Sequence, residues 1–497
     1  PAYWLDGTHA GRLLQCLVVY PLVAAVHLQP QLHALRLVPC RVRLLHLIEL
    51  DYWLDRLGDL IMTTDVSGES GLRGHLLAIL SGVAMLVVGV SLLFSVIGLR
   101  AGMADFSTVV TGLISSAYFA GYVLGVFVCP VLVSRVGHVR AFAAMASLAS
   151  TMPILHALWI DPWFWGFLRL IAGTCLVGLY IVIESWLNTL APKQKRGQIF
   201  SIYLVVTFMA LAVGQWLILV GDAVGFVPFA MVSVLLSFAL LPITMARVQQ
   251  PDTVEAPRLS LVSLWYTSPL GVTGAVVSGL ISGAFFGLGA VFADRIGFDA
   301  TWVAAFMACT ILGGAVFQWP VGRLSDRLDR RLVLLGCCLL SAGLAVIGYV
   351  LVWIYPTWLV ALGALLGGML FTIYGLSIAH ANDQIHVSRT LEVTGGLLLV
   401  HGMGAAVGPT IAGVVMDLLG PGSLMLYFGI VCAGLAGYTV HRMRVAPPVP
   451  PEEKVDFVPM GSGTQTTVQL DPRTPDPSDP ADAAAFERPA SPEPAAS

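Results

Sequence analysis

GRLSDRLDRR, residues 322–331, sets four arginines and two aspartates into ten positions. The runs on either side carry almost no charge: FMACTILGGAVFQWPV (306–321) precedes it and LVLLGCCLLSAGLAVIGYVLVW (332–353) follows. A helix needs about 20 apolar residues to cross the hydrocarbon of a bilayer, and the second run supplies them. Neither run alternates as the strand of a membrane barrel must. The stretch therefore reads as a charged connector between two membrane spans. The rest of the chain agrees. Of its 497 residues 57% are hydrophobic and 11% charged, where a soluble domain carries about 25% charged. That composition excludes a soluble fold, and the net charge of −3 gives no ground for a nucleic-acid partner.

Apolar runs separated by charged or turn-rich breaks place spans near 75–99, 107–133, 140–160, 163–190, 198–220, 224–247, 268–293, 300–321, 332–353, 356–380, 391–416 and 422–441. The prediction is an all-α integral membrane fold with twelve transmembrane helices in two pseudo-symmetric six-helix bundles, 62–247 and 268–444. A polar, proline-bearing linker (248–267) joins them. Residues 1–61 read as a doubtful extension: their longest apolar run, LLQCLVVYPLVAAVHL (13–28), is short for a span, and the true start is expected at Met62. Beyond 444 the chain is rich in Pro, Ala, Asp and Glu, which bury no core, so 445–497 is expected to be a disordered tail.

With Met62 on the cytoplasmic side, fifteen Lys and Arg residues fall on inner connectors and only Arg100 and Arg295 on outer ones. That bias puts both termini in the cytoplasm. The eight cysteines form no CxxC and cluster with no histidines, so neither a metal site nor a disulfide framework is expected. The chain also lacks GxxxxGK[ST], a nucleophile elbow and HExxH. No cofactor, no enzymatic activity and no direct drive by ATP are expected.

The halves echo one another. GYVLGVFVCPVLVSRVGHVR (121–140) follows the second span, and GAVFQWPVGRLSDRLDRR (314–331) follows the eighth. The second copy resembles the signature of the major facilitator superfamily between helices eight and nine, through Gly322, Asp326, Arg327, Arg330 and Arg331. Asp329 stands where that signature has glycine. The first copy is degraded: Pro130, Ser134 and His138 replace Gly, Asp and Arg, and only Arg135 and Gly137 are kept. RLIAGTCLVG (169–178), ESWLN, FQWPVGRLSDR, AHAND and GMGAAVGPTIAG (402–413) are most similar to the bacterial YcaD-like branch. The resemblance implies alternating access of a central site between two bundles and a cytoplasmic gate built on the charged motif. Glu184 is the expected partner of Arg135 or Arg140, and Asp383 of Arg327 or Arg330. Asp326 is expected at the N-terminus of a facing helix.

An ionisable side chain inside a span marks a functional site by default. Arg169 resembles the Arg-x-x-x-Gly signature of proton-coupled members, with a role in holding an anionic group or tuning a proton site. His401 is a candidate for proton coupling because imidazole titrates in the physiological range. Glu184 is an alternative proton carrier, although its depth favours the gate. Gln215, Gln318, Tyr118, Tyr122 and Tyr374 are candidate polar groups lining the cavity. Gly404, Gly408 and Gly413 allow close helix approach, and Pro409 allows a bend. They resemble an antiporter signature of the fifth helix, displaced here to the eleventh. The expectation is a secondary transporter of a small solute of unknown class, linked to protons and acting as a monomer in the bacterial inner membrane. A sensor on a transporter fold, or a lipid-handling protein without flux, is the alternative.

Overall fold

A computed structural model describes residues 69–192, 195–221, 225–245, 261–385, 389–447, 449–450, 454 and 457–458. The chain divides into Pro1–Gly74 and His75–Ser497; the second unit is described below. The expected start at Met62, the extension 1–61, residues 248–260 of the linker and the tail from 459 lie outside the described residues. Leu261–Thr267, the end of the linker, is a short helix.

Twelve helices among the described residues are long and apolar enough to cross a membrane: α1 Gly74–Met103, α2 Thr108–Val136, α3 His138–Leu158, α4 Pro162–Leu190, α5 Arg196–Leu219, α6 Phe226–Ile243, α7 Pro269–Arg295, α8 Ala300–Arg327, α9 Arg330–Ile354, α10 Pro356–Asn382, α11 Glu392–Leu419 and α12 Ser423–Val445. Their outward faces are apolar too, with Leu124, Phe127 and Val131 exposed on α2 and Leu339, Leu340 and Ile347 on α9. Faces of that kind suit lipid, where every backbone polar group must be satisfied within the helix. This is a multi-pass membrane protein.

The charged stretch is more helical than a connector. Gly322–Arg327 complete α8, Arg330 opens α9, and only Leu328 and Asp329 lie between. Asp329 caps α9 by accepting a hydrogen bond from the backbone N–H of Arg331 at 3.0 Å. The matching joint between α2 and α3 is the single residue Gly137, at φ 87°, a conformation glycine adopts at little cost.

Small residues set the helix pairs, and the pairs repeat between halves. A methyl at Gly173 of α4 would meet the Tyr118 carbonyl of α2, and one at Gly367 of α10 would meet the Thr310 carbonyl of α8. Gly404 and Gly408 of α11 lie against the backbone of α7 at Val276 and Leu280, as Gly214 of α5 lies against Val88 of α1. α2 and α5 in turn pack across the bundle boundary on α11 and α8. Two related six-helix bundles result.

One end of the boundary is stitched. The Thr108 hydroxyl donates to the Gly413 carbonyl at 2.8 Å, Ser116 and Thr410 share a hydrogen bond of 2.8 Å, and Arg295 donates to the Phe106 carbonyl at 2.9 Å. Gly112 and Gly413 bring α2 and α11 into backbone contact there, beside Pro409. This is the end that the charge count assigns to the outside.

Candidate functional site

At mid-depth the two bundles enclose a cavity of about 170 Å³. Its wall is aromatic. Phe94, Tyr118, Phe119, Tyr122, Tyr180, Tyr203 and Phe208 come from the first bundle, and Phe286, Phe371 and Tyr374 from the second. Thr207, Ser278, Ser282, Gln318 and His401 add the polar groups, and among the described residues no Asp, Glu, Lys or Arg lines it. Phe94 meets Phe286 across the boundary at 5.7 Å between ring centroids, and His401 lies against Tyr374 at 4.5 Å. Aromatic pairs at such spacings add to the burial of their surfaces. Tyr118, Tyr122, Tyr374, Gln318 and His401 are therefore placed at the cavity, whereas Gln215 is not. Gln215 is fully buried between α5 and α1, donating to the Ser91 hydroxyl at 2.7 Å and accepting from Ser95. Close packing at Gly214 draws it into that helix pair and away from the boundary.

Two charged side chains stand directly behind this wall. Arg169 is 1% exposed. Its guanidinium lies 4.8 Å from the Phe94 ring centroid and 4.6 Å from that of Tyr118, a double cation–π contact. No carboxylate pairs with it among the described residues, and its Nε has no hydrogen-bond partner. The local cause is its spacing from Gly173: the glycine brings α4 flush against the backbone of Tyr118, and the arginine one turn earlier folds over that tyrosine's ring.

Glu184 is fully buried and accepts a hydrogen bond from the Tyr203 hydroxyl at 2.8 Å. Tyr122 and Tyr180 are within electrostatic range of its carboxylate. The expected pairing with Arg135 or Arg140 is corrected by this geometry. Both arginines are exposed and form no ion pair among the described residues. Glu184 faces the tyrosine wall, where the Tyr203 hydroxyl reaches it from α5.

The charged motif builds a separate cluster at the end of the second bundle that the charge count assigns to the cytoplasm. Arg330 grips Asp383 through Nε to Oδ2 at 2.6 Å and Nη2 to Oδ1 at 3.2 Å, with both side chains 1% exposed. Its Nη1 also donates to Asp326 and to Ser325, each at 3.1 Å. Bidentate arginine–carboxylate pairs of this kind are among the stronger polar contacts. Arg331 binds Asp329 and the Ala446 carbonyl, each at 2.8 Å, while Arg327 is exposed and forms no ion pair among the described residues. These bonds join α8, α9, α10 and the chain after α12. Of the two arginines the sequence reading offers Asp383, it is Arg330 that pairs with it, and these bonds lie within the second bundle. Asp326 is also not at a helix N-terminus, since it accepts the backbone N–H of Phe457 at 2.9 Å. The disordered tail expected from 445 does not extend to Lys454, Phe457 and Val458, which pack against the protein.

Of the aromatic wall, the sequence reading reaches Tyr118, Tyr122 and Tyr374 but not Tyr180, Tyr203 or the phenylalanines. In helices that are apolar on every side, a phenylalanine carries no mark of whether it faces lipid, core or cavity. The repeated Tyr180 and Tyr374, each seven residues after a close-contact glycine, are the one pattern that could have shown part of it.

Comparison with known proteins agrees with the fold. The profile of the Major Facilitator Superfamily matches residues 75–385 and 306–470. The chain belongs to that superfamily and is a membrane transporter by family. It is 26% identical over 343 residues to the "Uncharacterized MFS-type transporter YcaD" of Salmonella heidelberg strain SL476, covering 68% of this chain and 88% of that one. An MFS-type transporter of Enterobacter sp. strain 638 is 26% identical over 353 residues, covering 69% and 88%. Among solved structures, the nucleoside transporter NupG aligns with a TM-score of 0.62 at 13% identity, over 75% of this chain and 99% of that one. A bacterial homologue of the human lysosomal transporter Spinster, inward-facing and unoccupied, aligns with a TM-score of 0.57 at 14% identity, over 81% and 97%.

Proposed function

We propose that this protein is a secondary active transporter that carries an aromatic solute bearing an acidic group, together with a proton, across the bacterial inner membrane. It works as a monomer with both termini in the cytoplasm. The observation that carries the reading is Arg169: a buried guanidinium with no counter-ion among the described residues, held between two rings that line a cavity shared by both bundles. An unpaired charge in such a place is costly, and a solute carboxylate entering past Phe94 and Tyr118 supplies the missing partner. The aromatic wall receives the ring of the solute. Glu184, on the opposite flank of the tyrosines, takes up the proton, which keeps the loaded site near neutrality. The stitched outer end supports an outer-closed pose; rocking the bundles about α2–α11 and α5–α8 then exposes the same cavity to the other side.

Proteoliposomes test this with three probes of matched size: phenylacetate, 2-phenylethanol and phenethylamine. Phenylacetate is expected to move, faster down an imposed proton gradient. Arg169→Gln is expected to raise its KM about tenfold to a hundredfold, the worth of one charge-assisted hydrogen-bond set. Glu184→Gln is expected to leave exchange intact and abolish the response to the gradient. Equal flux of the alcohol or the amine, or indifference to Arg169→Gln, rejects the acidic solute. Flux that ignores the gradient rejects proton coupling, and no flux of any solute in a wider panel favours the sensor.

A further inference from the structure

The segment after α12 makes contacts that the transport cycle described above does not use. The Phe457 ring lies in a notch between α8 and α10 whose floor is two glycines. A methyl added at Gly322 would collide with the ring, and one at Gly375 would press tightly on it. The backbone N–H of Phe457 is held by Asp326 at 2.9 Å. Lys454 donates through Nζ to the Leu328 carbonyl at 2.7 Å, one of the carbonyls left open where α8 ends. Arg331 holds the Ala446 carbonyl from the α9 side. Phe457 packs with the core cluster of the second bundle, and Val458 with the cluster that joins first-bundle residues to the inner halves of α10 and α11.

The position of the notch gives these contacts a consequence. Gly322 lies one helical turn beyond Gln318, and Gly375 directly follows Tyr374; both Gln318 and Tyr374 line the cavity. The Phe457 ring therefore sits about one turn, roughly 5 Å along the helix, on the inner side of the wall. It wedges between the same two helices that must shift if the cavity is to open inward.

We infer that the notch formed by Gly322, Gly375 and Asp326 is a docking site for a short aromatic-centred peptide, occupied in cis by the segment carrying Lys454, Phe457 and Val458, which restrains inward opening. The motif glycine is then a socket, and Asp326 serves both Arg330 and the docked segment. Release of the segment frees the ends of α8 and α10 to move with their bundle, away from the cluster of first-bundle residues that Val458 packs against, so the docked tail is an internal brake on the carrier.

A readout without a transported solute keeps this test separate from the substrate proposal. Thr207 lines the cavity; in a Thr207→Cys background lacking other reactive cysteines, the labelling rate by a membrane-impermeant maleimide is measured in nanodiscs. Phe457→Ala, and a chain ending at Pro450, are each expected to label about tenfold faster than the full chain, the shift expected when one buried aromatic anchor is lost. Gly322→Ala, which displaces the ring from the other side, is expected to match them, and Phe457→Tyr to stay near the parent rate. A synthetic peptide PEEKVDFVPMGS (451–462) is expected to slow the shortened chain again, and the same peptide with Phe457→Ala is not. Size-exclusion profiles establish that each variant is folded. Equal labelling of the full and shortened chains, or no effect of the peptide, overturns the inference.

Discussion

The two joints of this protein, α2–α3 and α8–α9, occupy equivalent places in related bundles and solve the same turn differently. The first turns on Gly137 alone, leaves Arg135 in solvent, and buries His138 against Trp186 at 6.5 Å between ring centroids. The second turns on Leu328 and Asp329 and ties Arg330 to Asp383. When the close-contact glycines Gly173 and Gly367 are superposed, Thr189 of α4 stands where Asp383 stands in α10. Both members of the ion pair are thus replaced together in the first half. Charge is therefore not needed to turn the chain; it fixes how α8, α9 and α10 are held, and only the second bundle uses it. The first bundle keeps its charged pair, Arg169 and Glu184, behind the cavity wall, where the second has Gly363 and Ile378 in the superposed positions. One bundle keeps its buried charges beside the cavity; the other uses them as a clamp at its end.

The largest test of that contrast is Asp383→Asn against Arg135→Gln. Removing Asp383 strips a buried arginine of its bidentate partner, a loss of about 3–5 kcal/mol. A pronounced fall in the thermal midpoint in detergent is expected, while Arg135→Gln stays within about 0.5 kcal/mol of the parent. Equal effects would erase the distinction. Next in size is Gly137→Ala, expected to cost about 1–2 kcal/mol because an L side chain at φ 87° is strained; Asp329→Ala, at φ −59°, carries no such strain and loses its cap and its partly exposed bond to Arg331, together about 1 kcal/mol.

The smallest effect sharpens the second joint by pH. Partial burial pushes the Asp329 carboxyl up, but hydrogen bonds from the side chain and backbone of Arg331 outweigh it and hold the group below its usual value of 3.8. A lowered carboxylate contributes stability above the ordinary carboxylate range and loses it as pH falls through the lowered value. Melting curves of the parent are therefore expected to lose stability below about pH 4, and Asp329→Asn to show less of that loss. Parallel acid profiles of the two proteins would remove Asp329 from the clamp.

The spans were legible because hydrocarbon imposes length and hydropathy on every one of them, and the charged stretch because it interrupts that pattern. Side-chain partners were not. Glu184 lies at a depth from which either a surface arginine or a neighbouring helix could reach it, and only the packing of α5 decides for Tyr203. Gln215 has the same residue type as Gln318 and an opposite fate, set by which glycine lies beside it. Phe457 is hidden for another reason: it stands in a polar, proline-rich tail, where composition argues against any fixed contact.

The outer seam carries a consequence for speed. Its fastenings are hydroxyls and main-chain atoms from Thr108, Ser116, Thr410 and Gly413, and a hydroxyl in a helix can turn back to a carbonyl four residues earlier, as Thr111 already does with Ser107. When α2 and α11 part, Ser116 and Thr410 can each turn back onto their own helix, and the exposed Arg295 is released from Phe106 into water. The seam can come apart and close again like a zip that keeps all its teeth, so the barrier to reversal at that face is set by the sliding of packed surfaces.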